Sequence, residues 1–456
     1  MQERIREYLR DVARSRGRQI DLSLLGYGTT AESVLGAFYK CDFIRRITVR
    51  SHAMLRKSPP ESVGLICGAD AFTGISEDVI FASPSVRREK LKLGGKALIT
   101  SDTELFFSHP PELVFAVSGS DGKSTVTSYA SLLLSPTFPS LFTGGNLGTP
   151  TAMASLHADA FLLELSSFNL RYVTPVSKRA VLTNVTPNHL DWHADIHEYE
   201  ECKAKLVHSA KESVIPLSCP FNEELARTVS PFALVSDRHT HRELTEGYAT
   251  AHTVTCENGW ICIDGDGALP TESVRLKERH NLENLMSAIA LSLGYVSRER
   301  ICEVAESFTG LGHRCRRMTY GGKEYIDSSI DTTPERTKTT LLGIGKRVHI
   351  ILGGRGKGLS LFAMRDALLR YALSISIYGE IANDIDTWLG EDEKLSRIPR
   401  KKFTRLEDAI ECADALASIG ETVLLSPAAT SYGEFTSYHE RGEFFKDHIV
   451  KKHGRI

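Results

Sequence analysis

Lys123 follows Gly119-Ser120-Asp121-Gly122 and precedes Ser124-Thr125, and these residue types at this spacing suit a bound triphosphate. Backbone N–H groups of a glycine turn, together with the N-terminus of the next helix, meet phosphate oxygens. Lys123 supplies a point charge, and a hydroxyl of Ser124 or Thr125 can hold Mg²⁺, a hard ion that prefers oxygen. The turn is shorter than the common P-loop. It leaves a hydrophobic run, Leu113 to Val117, and enters a helix-compatible stretch, Val126 to Leu134. The competing interpretation is a glycine turn with a solvated lysine.

Other polar groups end apolar runs. Glu164 closes Phe161-Leu162-Leu163-Glu164, and a carboxylate at the end of a buried strand needs a cation or hydrogen-bond donors. With Ser124 it forms a candidate Mg²⁺ pair; the alternative is a capping or salt-bridged glutamate. Thr183 to His193 is dense in ligands. His189, Asp191 and His193 suit zinc by type, but no matching partner spacing occurs elsewhere, so a Mg²⁺ or substrate contact through His189 is preferred. Lys203 lies on a helix candidate with Tyr199, Cys202 and Leu206, and spacing alone makes it a solvated lysine. Near the C-terminus, Ser426-Pro427-Ala428-Ala429-Thr430-Ser431 presents hydroxyls and N–H groups as a carboxylate or phosphate cradle. Lys357, in the loop Gly353 to Gly358, supplies a matching charge.

The elements that must position these groups alternate. Ile20 to Leu25 reads as a strand entering Gly26-x-Gly28-x-x-Ala31, a weak dinucleotide-type turn. The following strand, Arg46 to Val49, ends in Arg50-Ser51-His52 where an NAD site would place an acid, which disfavours a dehydrogenase. Arg50 and His52 are left as candidates for phosphate or a base edge. Phe161 to Leu165 and Ala180 to Thr183 read as buried parallel strands, Tyr199 to Ala210 as a helix, and Thr250 to Ile263 as a hairpin. Arg347 to Leu352 and Thr422 to Leu425 carry the two C-terminal loops to one rim of a further sheet. The fold class is therefore α/β with mostly parallel sheets. Three domains are expected at 1–107, 108–310 and 311–456.

Composition narrows the function. The chain has 456 residues, with 55 basic against 57 acidic side chains, so no global field points to nucleic acid. No apolar segment reaches the roughly 20 residues a bilayer needs, and the charged N-terminus has no signal core. A cytoplasmic protein without a membrane partner is expected. Nine cysteines without a Cys-x-x-Cys pair argue against a disulfide framework.

Taken in order, these motifs resemble the Mur ligases, and within them the branch that joins D-glutamate to UDP-N-acetylmuramoyl-L-alanine. Gly119 to Thr125, Gly144 to Gly148, Leu163 to Phe168 and Thr183 to Asp191 carry most of the likeness. Tyr199 to Lys203, His280 to Asn284, Phe308 to Arg314 and Ser426 to Gly442 extend it over nearly the whole chain. The resemblance implies a Rossmann-like N-terminal domain for the uridine nucleotide, a central ATPase-like domain and a Rossmann-like C-terminal domain for the amino acid. It implies an ATP-dependent ligase of peptidoglycan synthesis, working as a monomer through an acyl phosphate and a tetrahedral intermediate.

Carried over by position, Gly119, Ser120, Asp121, Gly122, Lys123, Ser124 and Thr125 would cradle ATP, with Asn284 and Arg314 on the adenine nucleotide. Ser124, Glu164, His189 and a carbamylated Lys203 would serve two Mg²⁺ ions. Gly28, Thr29 and Ser51 would meet the uridine nucleotide, and Asn146, Ser166 and Asn169 would line the muramoyl path. Thr332, Lys357, Ser431 and Tyr438 would hold D-glutamate, and Lys123, His189, Lys203 and Lys357 would be catalytic.

The chain also departs from the family. Where members often read Asn-Asp-Ser-Lys-Ala-Thr-Asn-Pro, it has Asp327-Ser328-Ser329-Ile330-Asp331-Thr332-Thr333-Pro334, so a nucleotide-contacting aspartate becomes Ser328 and a lysine becomes Ile330. Asp327 would compensate only with a backbone shift. Arg50 replaces a usual aspartate, and Arg316 stands where an acid is usual. These changes motivate a second reading: a catalytically weak, nucleotide-binding relative that acts through partners.

Overall fold

The computed structural model describes residues 1–27, 29–38, 41–52, 59–146, 149–190, 192–310, 312–313, 315–356, 360–431, 433–435 and 437–453; side chains 29, 38 and 335 are also left aside. The chain forms two compact units, Met1–Thr309 and Gly310–Ile456. Among the described residues no helix is long and apolar enough to cross a membrane.

The first unit holds two main sheets. One runs Gly64–Cys67, Ile44–Ser51, Ile20–Leu25, Val79–Ala82, Leu98–Thr100, all parallel. Ile20–Leu25 is buried at every position, as expected of a central parallel strand covered on both faces. The other sheet has nine strands, with Val114–Ser118 between Ser177–Leu182 and Phe161–Glu164. It is parallel except where His252–Glu257, Trp260–Ile263 and Asp266–Pro270 pair antiparallel, the first two joined through Asn258-Gly259. The two sheets share one apolar core, in which Ile5, Leu9, Leu22 and Phe106 join Phe161, Leu163 and Leu206.

Chain order reverses at Val114–Ser118: Phe161–Glu164 and Phe142–Gly145 lie to one side, and Ser177–Leu182 and later strands to the other. Such a reversal opens a crevice at the carboxyl ends of the strands. The turn after Ser118 therefore emerges where ligands bind in open α/β sheets.

The second unit has a six-stranded sheet ordered Arg316–Tyr320, Lys323–Asp327, Thr422–Leu425, Val348–Gly353, Ala372–Tyr378, Arg400–Phe403; the first pair is antiparallel and the rest parallel. Its reversal falls between Val348–Gly353 and Thr422–Leu425. The Gly353 and Ser426 loops accordingly leave neighbouring strands on the same rim, and Arg355 and Thr430 exchange main-chain hydrogen bonds at 2.9 Å.

Candidate functional site

The glycine turn links Val114–Ser118 to a helix that begins at Lys123, earlier than the apolar pattern suggested, so Lys123, Ser124 and Thr125 form its first turn. Gly119 and Gly122 have φ of 146° and 79°. A β-carbon at Gly119 would collide with the Thr183 hydroxyl, and one at Gly122 with the side-chain amide of Asn284. Asn284, itself buried, thus abuts the turn. Gly122→Ala is expected to destabilise the protein by about 1–3 kcal/mol and to abolish ATP binding. Thermal unfolding and calorimetric titration check this, and unchanged binding would contradict it.

The turn is held by side chains from neighbouring strand ends. Asp121 N–H donates to Asn184 Oδ1 at 2.9 Å, and Thr183 Oγ1 donates to the Asp121 carbonyl at 2.6 Å. The Ser120 hydroxyl is shared with Tyr199 at 2.7 Å and the Thr186 carbonyl at 3.0 Å. Lys123 Nζ donates to the carbonyls of Gly119 at 2.9 Å and Ser120 at 2.8 Å.

Lys203 is not the solvated lysine its spacing suggested. It is 2% exposed, and its Nζ donates to the Gly119 carbonyl at 2.7 Å and lies 4.8 Å above the Tyr199 ring. Two lysines thus converge on one carbonyl. Burial first, and then the neighbouring Lys123 charge, hold the Lys203 amine well below the ordinary lysine range, favouring its neutral form.

Glu164 is 1% exposed and pairs in register with Val117, beside the turn. Its Oε1 accepts from Asn146 Nδ2 at 2.7 Å, whereas buried Oε2 has no hydrogen-bond partner among the described residues. An anionic oxygen left bare in the interior is unfavourable unless a cation arrives, so the donor set fits Mg²⁺.

His189 is exposed, at φ 55°, with its ring 4.9 Å from that of Phe168. His193 turns inward to Ser167 Oγ at 3.0 Å, and Asp191 lies outside the described residues. Among the described residues no group of three acidic, histidine or cysteine side chains could hold a metal. Burial, then the Arg171 charge, lowers the His193 pKa to about 4. An unfolded histidine titrates near 6.5, so between those values only the unfolded state takes up the proton. Stability is full above about 6.5 and falls as pH drops toward 4, by up to about 3 kcal/mol. Denaturant titrations of His193→Phe should lack this slope; an unaltered slope would contradict the assignment.

A cavity of about 320 Å³ opens between the two sheets of the first unit. Asn146, Ser166 and Asn169 line it, as do Gly26, Asp102 and Phe168. Ser166 and Asn169 also form a capping box for the helix Ser167–Tyr172. Ser51 is buried at a strand end, where its carbonyl accepts from Gly68, and is not among the lining residues. Gly28 and the Thr29 side chain lie outside the described part. Arg50, expected to meet phosphate or base, is instead buried and donates to both Glu77 carboxylate oxygens at 3.0 and 3.2 Å. That reading of Arg50 is corrected: its charge is consumed internally.

In the second unit Thr332 and Tyr438 are half-buried and Ser431 is buried; Arg314 and Lys357 lie outside the described residues. Asp327 does not reach outward for a nucleotide. It pairs regularly with Leu425, is fully buried, and its carboxylate meets His313 Nδ1 at 2.5 Å and the Ser329 N–H at 3.0 Å. Ser328 is buried toward Cys315 and Thr340.

Sequence reasoning did not select Tyr199, Asn184, Thr183 or Asp102. Tyr199 had a usable signal: four residues before Lys203 on one helix, it must share its face.

The Mur ligase middle domain family matches residues 117–292. A protein of Clostridium kluyveri named UDP-N-acetylmuramoylalanine–D-glutamate ligase is 31% identical over 432 residues, 89% of this chain and 92% of that one. A Ruminiclostridium cellulolyticum protein of the same name is 30% identical, covering 81% and 82%. Among solved structures, the UDP-N-acetylmuramate-alanine ligase MurC of Thermotoga maritima aligns with a TM-score of 0.57 at 15% identity, covering 96% of this chain and 99% of that one. A pseudomurein peptide ligase type C from Methanothermus fervidus aligns at 0.54 and 15%, covering 95% and 100%.

Proposed function

Because the chain belongs to the Mur ligase family, we propose that it joins D-glutamate to UDP-N-acetylmuramoyl-L-alanine in an ATP-dependent step of peptidoglycan synthesis. In this reading residues 1–107 take the uridine nucleotide, 108–310 the ATP and 311–456 the amino acid. The observation that carries it is the pairing of Glu164, with its bare buried oxygen, and Lys203, with its buried amine, around one glycine turn.

Lys123 exchanges the Gly119 and Ser120 carbonyls for phosphate oxygens, while the N–H groups of the turn and the helix start hold the rest of the triphosphate. Ser124, Glu164, His189 and a carbamylated Lys203 would hold Mg²⁺, which would neutralise charge on the transferring phosphoryl group. Lys203 is suited to carbamylation: its neutral amine adds to the carbon of CO₂, an N–C bond forms as one C=O π bond opens onto oxygen, a proton leaves the nitrogen, and an anionic oxygen stands where a neutral amine was. The γ-phosphoryl group passes to the L-alanine carboxylate, giving ADP and an acyl phosphate. The D-glutamate amine attacks the carbonyl carbon, loses a proton, and the tetrahedral intermediate collapses to the amide with expulsion of phosphate. No side chain acts as a nucleophile; positioning and charge neutralisation carry the rate. Thr332, Lys357, Ser431 and Tyr438 are assigned to the D-glutamate carboxylates, and Asn284 and Arg314 to the adenine nucleotide.

The second reading, nucleotide binding without ligation, rested on Ser328 and Ile330 and is not favoured by relatives that share most of the chain. Phosphate release measured with D-glutamate, L-glutamate, L-lysine and diaminopimelate tests the proposal. Turnover is expected with D-glutamate; turnover only with another amino acid would overturn it.

A further inference from the structure

Arg441 is the largest fully buried side chain of the described protein, 0% exposed, and lies in the first turn of the helix Tyr438–His453. Its Nε donates to Ser329 Oγ at 2.9 Å and its Nη2 to the Ser329 carbonyl at 2.7 Å. Nη1 donates to the Ala429 carbonyl at 3.1 Å and to the Tyr378 hydroxyl at 3.3 Å. Among the described residues every acceptor is neutral. A β-carbon at Gly354 would stand 3.1 Å from Nη1, so the guanidinium also touches the loop that follows Val348–Gly353.

The fork therefore ties together the ends of four parallel strands at the reversal of the six-stranded sheet. Ser329 lies three residues before Thr332, Ala429 two before Ser431, and Ser329 Oγ also donates to the Tyr438 carbonyl at 2.8 Å. A guanidinium keeps its charge in any protein setting, and an unpaired buried cation is unfavourable unless an anion compensates it. Structural cross-linking needs only neutral donors. A full positive charge under the rim rewards an occupant that brings one negative charge more than an ordinary amino acid does.

We propose that Arg441 is a specificity-determining residue whose buried charge makes the second unit select an acidic amino acid over its uncharged isostere. The inference rests on the ligase reading above and names what sets its amino-acid class. Arg441 acts through the loops that hold the substrate, as a positioning residue.

The test is kcat/KM for D-glutamate relative to D-glutamine, which has nearly the same shape without the charge, in the parent, R441K, R441Q and S329D. The parent should prefer D-glutamate strongly. R441Q, which removes the charge, should lower the preference by about 10-fold or more, and R441K should keep it within about threefold. S329D, which sets a carboxylate against the guanidinium, should also lower it and serves if R441Q fails to fold, as judged by thermal unfolding and ATP binding. A structural role would depress both amino acids alike; an unchanged ratio in R441Q or S329D, or a parent that turns over both equally, would overturn the inference. A parent that uses neither would instead remove the ligase reading.

Discussion

Replacing Lys203 with methionine is expected to lower ligase turnover by about 10²–10³-fold while leaving the fold and ATP binding largely intact. The side chain is 2% exposed, and its amine sits on the Gly119 carbonyl, so methionine keeps the apolar stem packed and removes only the nitrogen. In the proposed reaction, what would be lost is the carbamate oxygen near the transferring phosphoryl group. Two features prepare the amine for CO₂: burial and the Lys123 charge beside it. Both favour the neutral base, the form that adds to CO₂. The parent should therefore lose activity when CO₂ is stripped and regain it with bicarbonate, and intact mass should show one added CO₂. Full activity of Lys203→Met, or indifference of the parent to bicarbonate, would return this residue to a structural role.

The second large effect concerns Glu164. Glu164→Gln keeps an oxygen for Asn146 Nδ2 but places an amide N–H where the bare Oε2 stands. A donor aimed at a cation site repels what the carboxylate attracts. ADP formation at saturating ATP is expected to fall by about 10²–10³-fold, with a higher Mg²⁺ requirement. Magnesium titrations of ADP release read this directly. An unchanged magnesium dependence would mean that the orphaned oxygen serves something else.

Much of this arrangement was legible in the chain because local rules governed it. Ile20–Leu25 and Thr422–Leu425 fall where their apolar runs place them, and the glycine turn does precede a helix, although that helix starts at Lys123 rather than with the apolar run at Val126. The same rules fail where a partner comes from far along the sequence. Arg50 ends a strand and reads as a free cation, yet Glu77 reaches it across the N-terminal sheet. Lys203 reads as solvated because its helix is polar overall, and only packing against the turn reveals which face is buried. Arg441 lies in a charged C-terminal helix, and nothing in its neighbours announces that four strand ends converge on it. Asp327 is legible as an acid beside the expected position, but its register with Leu425 and its bond to His313 are tertiary facts.

The central claim is that a carboxyl oxygen of the nucleotide substrate attacks the terminal phosphorus of ATP. Heavy-oxygen label in the L-alanine carboxyl of UDP-N-acetylmuramoyl-L-alanine tests it, with the released phosphate analysed by mass spectrometry after turnover with ATP, Mg²⁺ and D-glutamate. One labelled oxygen per phosphate is expected for each amide formed. Amide formation accompanied by phosphate whose new oxygen derives from solvent would contradict the account.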